Sequence, residues 1–226
     1  MGIISINKLD NLYWLGRYTE RVYTSIRKFY RIYDSMIEAP EGAYKTYCEK
    51  LNIPDIYSGN EEFLTEYIFS KENPDSLYSN MSRAYDNAIV LREELSSNVL
   101  AYVQLALDTF EANKNSSAPL LELQSVLDYL LAFWGCVDDY VVDEDCRNIM
   151  KCGKYVERID LYIRLNYHVN DIEKEFNKLV NRIHKTHMYY NIEKLDKLTD
   201  IINEHSEEGN GYTEALRCLD GIIEVK

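Results

Sequence analysis

At 226 residues the chain can bury a substantial core, and nine glycines and four prolines are too few for the frequent turns of a sandwich or barrel. Thirty-eight acidic against twenty-five basic residues give a net charge of −13, which repels a phosphate backbone and excludes nucleic acid as the expected partner. Cys48, Cys136, Cys146, Cys152 and Cys218 are odd in number and follow no zinc-binding spacing, so reduced thiols in a cytoplasmic protein are expected, without metal or cofactor.

The first twenty residues carry neither the basic start and apolar core of a secretory signal nor a membrane-length apolar run, so neither export nor membrane association is expected. The first helix is marked by Leu12, Leu15, Thr19, Val22, Ile26, Phe29, Tyr33 and Met36, a 3-4-3-4 seam with Asp10 as N-cap and Pro40 beyond the far end. Residues 42–71 lose that periodicity around Pro54 and Ser58-Gly59-Asn60, which predicts shorter helices joined by turns. Asn73-Pro74-Asp75-Ser76 then opens a helix carrying Met81, Ala84, Ala88, Leu91, Leu95, Tyr102 and Leu105, with a break expected near Ser96-Ser97. Pro119 sits where a first-turn proline is tolerated, and residues 120–142 are apolar on most faces, predicting the most buried helix.

Asp143-Glu144-Asp145 supplies carboxylates for the unpaired N–H groups of the next helix start, and Ile149, Cys152, Val156, Ile159 and Ile163 share one face of that helix. Asn170-Asp171 and Asn191 open two further helices, and residues 206–211 are expected as a surface loop before a short last one. The fold class is therefore all-α, a bundle of long antiparallel helices in a single domain spanning 1–226.

Two segments repeat. Residues 11–30 laid over residues 148–167 without a gap give eight identities in twenty positions: Asn11/Asn148, Gly16/Gly153, Tyr18/Tyr155, Glu20/Glu157, Arg21/Arg158, Ile26/Ile163, Arg27/Arg164 and Tyr30/Tyr167. Two such helices are expected to pack face to face as a pseudo-symmetric pair, each glycine admitting the other backbone.

The segments NLYWLGRYTERV and KCGKYVERIDLYIR, with Ser82-Arg83, Asn87-Ala88, Arg92-Glu93 and Leu95-Ser96 between them, resemble the signature blocks of the alpha-E domain family. The three blocks cover residues 11–30, 82–96 and 148–167. The middle one departs from the family pattern at Ile89, where a second arginine is usual. The resemblance implies an all-helical fold, and a usual company of ATP-grasp-type ligases and transglutaminase-like proteins that points to amide-bond chemistry on peptides or amino acids.

The charged signature residues admit two roles. Glu20, Arg21, Glu157 and Arg158 can form a buried network of crossed ion pairs that fixes helix register. Alternatively Arg17, Arg21, Arg83, Arg92, Lys154, Arg158 and Arg164, with Tyr18, Glu20, Asn87, Tyr155, Glu157 and Asp160, line a site whose guanidinium forks take an anionic ligand. His184 and His187, three apart, read as a surface pair, and Cys152, which aligns with Leu15, as a core thiol. The expected function is a noncatalytic accessory or binding module that works with an ATP-grasp-type ligase or transglutaminase-like protein and holds an anionic peptide or amino acid. The alternatives are an enzyme using Glu157 or Glu20 as acid/base beside an arginine clamp, and a structural bundle that forms homo-oligomers.

Overall fold

Long 3.6-residue periodicity interrupted by few breakers produces ten α-helices in the computed structural model, which describes residues 5–38, 42–114, 116, 118–204 and 210–223. They are α1 (Ile6–Glu38), α2 (Ala43–Leu51), α3 (Asn60–Phe69), α4 (Leu77–Val90), α5 (Ser97–Asn113), α6 (Pro119–Tyr140), α7 (Glu144–Arg164), α8 (Val169–Ile183), α9 (Ile192–Asn203) and α10 (Asn210–Asp220). Among the described residues 78% are helical and none forms a strand, so the fold is all-α. The chain divides into two compact units, Met1–Arg17 with Asp143–Lys226, and Tyr18–Val142; α1 contributes to both.

In the Tyr18–Val142 unit the seam of α1 is buried through Val22, Ile26, Phe29 and Met36, whereas Tyr33 lies outward. Phe29 stacks on Phe63 and Tyr67 of α3 at ring separations of 5.8 and 5.9 Å. Tyr44 of α2 stacks on Phe63 at 5.3 Å, and the hydroxyls of Tyr47 and Tyr67 bond at 3.1 Å. Tyrosines carry the packing of residues 42–71, which is why an aliphatic stripe is weak there. The helices are short, as their breakers require. Gly42 precedes α2 in the left-handed region at φ 97°, a conformation open to glycine at no steric cost.

Helix α4 starts where expected, with the Ser76 side chain accepting from the Ser79 N–H at 2.9 Å. It ends at Val90, and Ser96 caps α5 by accepting from Val99. The interruption resets the helical phase, so the buried stripe of α5 is Val99, Val103, Ala106, Leu107 and Phe110. Leu105, expected inside, is exposed.

Helix α6 packs chiefly on α5 and buries Leu123, Val126, Leu130, Phe133 and Val137. The expectation that this helix is the most buried is corrected, because Leu121 and Leu131 face outward, 74% and 56% exposed. Among the described residues its segment Leu120–Tyr140 is long and apolar enough to cross a membrane by length and composition.

The unit of Met1–Arg17 and Asp143–Lys226 is organised by α7, which buries residues on most of its circumference, including Asn148, Glu157 and Asp160. Asp143 caps it, accepting from the N–H groups of Asp145 and Cys146 at 2.8 and 3.1 Å. Helix α8 packs on α7, α9 on α8 and α10, and α10 on α7. Three boundaries differ from expectation. Helix α1 begins at Ile6, with Ser5 accepting from the Lys8 N–H, so Asp10 is inside the helix and not its cap. Helix α8 begins one residue after His168, which precedes Asn170-Asp171. Asn210 and Gly211 belong to α10, while Pro40 and residues 206–209 lie outside the described residues.

Candidate functional site

At the signature glycines α1 and α7 meet backbone to backbone within the unit of Met1–Arg17 and Asp143–Lys226. A Cβ on Gly16 would lie 2.0 Å from the Met150 carbonyl oxygen and 3.0 Å from the Lys154 nitrogen. One on Gly153 would lie 2.0 Å from the Tyr13 carbonyl oxygen and 3.2 Å from the Arg17 nitrogen. Each glycine thus meets the residue three before and the residue one after its counterpart. Only the absence of a side chain permits that approach.

This proximity delivers Arg17 to Glu157. The Arg17 Nε donates to a Glu157 carboxylate oxygen at 2.7 Å, and Glu157 is 1% exposed. The guanidinium lies 4.8 Å from the Trp14 ring and 5.8 Å from that of Tyr13, both one turn or less before it on α1. Burial opposes the Arg17 charge, yet attraction to Glu157, with Tyr13 and Asp160 adding to it, holds its pKa above the ordinary arginine value. Burial pushes the Tyr13 phenol well above its usual range, so it is a neutral wall of the site. On the outer side an Arg17 terminal nitrogen stands 3.9 Å from Asp220 at the end of α10.

The next turns of α7 carry two further ion pairs. Arg158 donates to Glu175 of α8 at 3.2 Å, and the same carboxylate group accepts from Lys178 at 2.6 Å. Lys178 also lies 5.8 Å from the Tyr155 ring. Arg164 donates back to Asp160 at 2.8 Å, one turn along the helix. Below these, Arg182 of α8 donates to the Asn148 side-chain oxygen at 3.0 Å. The Asn148 side-chain nitrogen is buried without an acceptor among the described residues. Cys152 is fully buried, and desolvation raises its thiol pKa far from the thiolate range, which fits a core thiol.

In the Tyr18–Val142 unit Glu20 is fully buried and accepts from the Thr24 hydroxyl at 2.6 Å. Arg83 of α4 lies 5.9 Å from the Tyr18 ring and donates to the Pro74 carbonyl at 2.8 Å. Arg21 acts on the Tyr47 and Tyr67 phenols, opposing the rise in pKa that burial imposes on both. Asn87 is half-buried and uses its carbonyl to accept from Leu91 where α4 ends. Arg92 is exposed in the turn after α4.

Of the thirteen candidate residues, Arg17, Lys154, Tyr155, Glu157, Arg158, Asp160 and Arg164 are gathered on α1 and α7 within one unit. Sequence reasoning missed Glu175, Lys178, Arg182 and Asp220. A signal existed for Glu175, an acid set within the buried stripe Ile172, Phe176, Leu179 and Ile183 of α8. Nothing in the sequence pairs Asp220 with Arg17. His187 pairs with Asp145 at 3.0 Å, and the His184 ring faces Tyr190 at 6.2 Å, so the two histidines have separate partners.

No curated protein and no solved structure matches the chain. Residues 8–184 match the Alpha-E family, described as a predicted alpha-helical domain with a conserved ER motif. Glu-Arg pairs stand at Glu20-Arg21 and Glu157-Arg158, the first on α1 and the second on α7, beside the glycines just described. The chain belongs to the Alpha-E family.

Proposed function

We propose that this chain is a noncatalytic binding module that holds an anionic peptide or amino-acid ligand for an ATP-grasp-type amide ligase. The supporting observation is the use made of the signature charges. Glu157 and Glu20, the carboxylates best placed for acid/base work in an enzyme, are 1% and 0% exposed, and Glu157 is held by Arg17. General acid/base catalysis needs a carboxylate within reach of a substrate proton. Guanidinium groups ordered by such acids suit recognition of a fixed anion instead. The reciprocal contacts of Gly16 and Gly153 favour a pseudo-twofold packing of the signature helices, a stiff frame for that purpose. The ligase partner comes from the company that the family usually keeps, and the free thiols suit a reducing cytoplasm.

The test is co-purification with an ATP-grasp protein encoded nearby, followed by assay of amide-bond formation with and without this chain. Ligation that requires the chain is the expected result. Turnover of peptide or amino acid by the purified chain alone would overturn this proposal in favour of an enzyme. A second role, pure fixing of helix register, is favoured by the Arg17–Glu157 and Arg158–Glu175 pairs. It predicts ligation that survives substitution of Arg17 and Arg158 whenever the fold does.

A further inference from the structure

We propose that the outer edge of the Arg17 guanidinium is a single-carboxylate site, and that Asp220, at the end of α10, stands beside it as the carboxylate with which a ligand competes. This rests on the binding-module function above and assigns that module its contact atom and its gate. Arg17 is 12% exposed, and among the described residues its one hydrogen bond is from Nε to Glu157. Its two terminal nitrogens make no hydrogen bond to a described residue, and the side chain reaches solvent. A guanidinium offers five N–H donors, and the pair of terminal nitrogens is the edge that matches a carboxylate in bidentate fashion. The edge is already oriented, by Glu157 on Nε and by the Trp14 and Tyr13 rings beside it. Binding there would therefore forgo little side-chain entropy.

Asp220 stands at this edge without bonding to it. At 3.9 Å its oxygen is beyond hydrogen-bond distance of the terminal nitrogen, and its side chain is 81% exposed. Its backbone is fixed, because the Asn191 N–H donates to the Ile222 carbonyl at 2.8 Å and Ile222 and Ile223 are buried immediately beyond it. The mobile element of this gate is thus the exposed Asp220 side chain, which can swing toward or away from Arg17 while the helix stays docked. Glu157, Asp160 and Asp220 already surround one guanidinium, and Arg164 neutralises Asp160. A further carboxylate at this edge meets repulsion from Asp220 and is favoured as the Asp220 side chain swings away, so ligand and Asp220 compete. Helix α10 and Asp220 lie beyond the 8–184 family match.

The experiment is calorimetric titration of the full chain with free glutamate and with a short glutamate-rich peptide, for the parent, Asp220→Asn and Arg17→Lys. Lysine stands at the equivalent signature position, Lys154, and keeps the charge without the fork. Removing an exposed competitor about 4 Å away should tighten binding about fivefold, so Asp220→Asn is expected to bind more tightly than the parent and Arg17→Lys to lose binding. The arm that binds separates a free amino acid from a peptide as ligand. Equal affinity of parent and Asp220→Asn overturns the gate and leaves the binding module standing. Binding retained in Arg17→Lys overturns the site at Arg17. Absence of binding in parent and Asp220→Asn alike overturns both this inference and the binding-module function.

Discussion

Substituting alanine for Gly16 or Gly153 sets helix propensity against packing, and the structure decides which wins. Inside a helix, glycine to alanine gains about 1 kcal/mol from backbone entropy and propensity. At either signature glycine the new Cβ would stand 2.0 Å from a backbone carbonyl oxygen of the facing helix. Carbon–oxygen contacts settle at about 3.3 Å, so the helices must separate by roughly 1.3 Å, and no rotamer can relieve a clash between a Cβ and backbone. Overpacking of this kind costs about 1–3 kcal/mol and occasionally more. It also pulls Arg17 away from a Glu157 that is almost fully buried. A net loss of about 2 kcal/mol or more is expected for each substitution. Gly135 is the control: it is exposed within α6 and an added Cβ meets nothing within 4 Å, so Gly135→Ala should gain up to about 1 kcal/mol. Urea unfolding followed by far-ultraviolet circular dichroism measures all three. The double substitution should cost less than the sum, because the first separation makes room for the second. Stability equal to or above the parent for Gly16→Ala and Gly153→Ala would refute the close approach of α1 and α7.

Arg17→Met, which removes the 2.7 Å partner of a carboxylate only 1% exposed, should cost about 3–5 kcal/mol, with much of it recovered by adding Glu157→Leu; thermal denaturation of both variants checks this, and full additivity would contradict it. Arg158→Ala should cost less, about 1 kcal/mol, because Glu175 keeps Lys178 at 2.6 Å, and a loss as large as that of Arg17→Met would speak against this ordering. Burial raises the phenol pKa values of Tyr13, Tyr47 and Tyr67 above the usual value of about 10. Above that pH the unfolded chain sheds protons that the folded chain keeps, so their contribution is fully present below pH ~10 and is lost as pH rises toward the folded values. Alkaline titration by phenolate absorbance should show Tyr13, Tyr47 and Tyr67 ionising only together with loss of helical ellipticity.

The sequence by itself determined the helices, because the 3.6-residue period and the capping residues are local properties that short-range backbone geometry obeys. Ser76, Asp143 and Asn191 cap α4, α7 and α9 as their side-chain chemistry requires. The Gly16 and Gly153 contact was legible too, because a repeated glycine in an apolar seam has few purposes other than close approach. Apolar composition misled at α6, since counting apolar residues cannot tell which side of a helix meets a neighbour; Leu121 and Leu131 fell outside. Phase was lost at α5, where the six residues between α4 and α5 rotate the stripe and leave Leu105 exposed. Only tertiary structure decided the ion-pair partners. Arg17 takes Glu157, 140 residues away, and stands near Asp220. Arg158 takes Glu175 across a helix turn-around. A charge is indifferent to which opposite charge satisfies it, so its partner is set by which helices the buried apolar faces bring within reach.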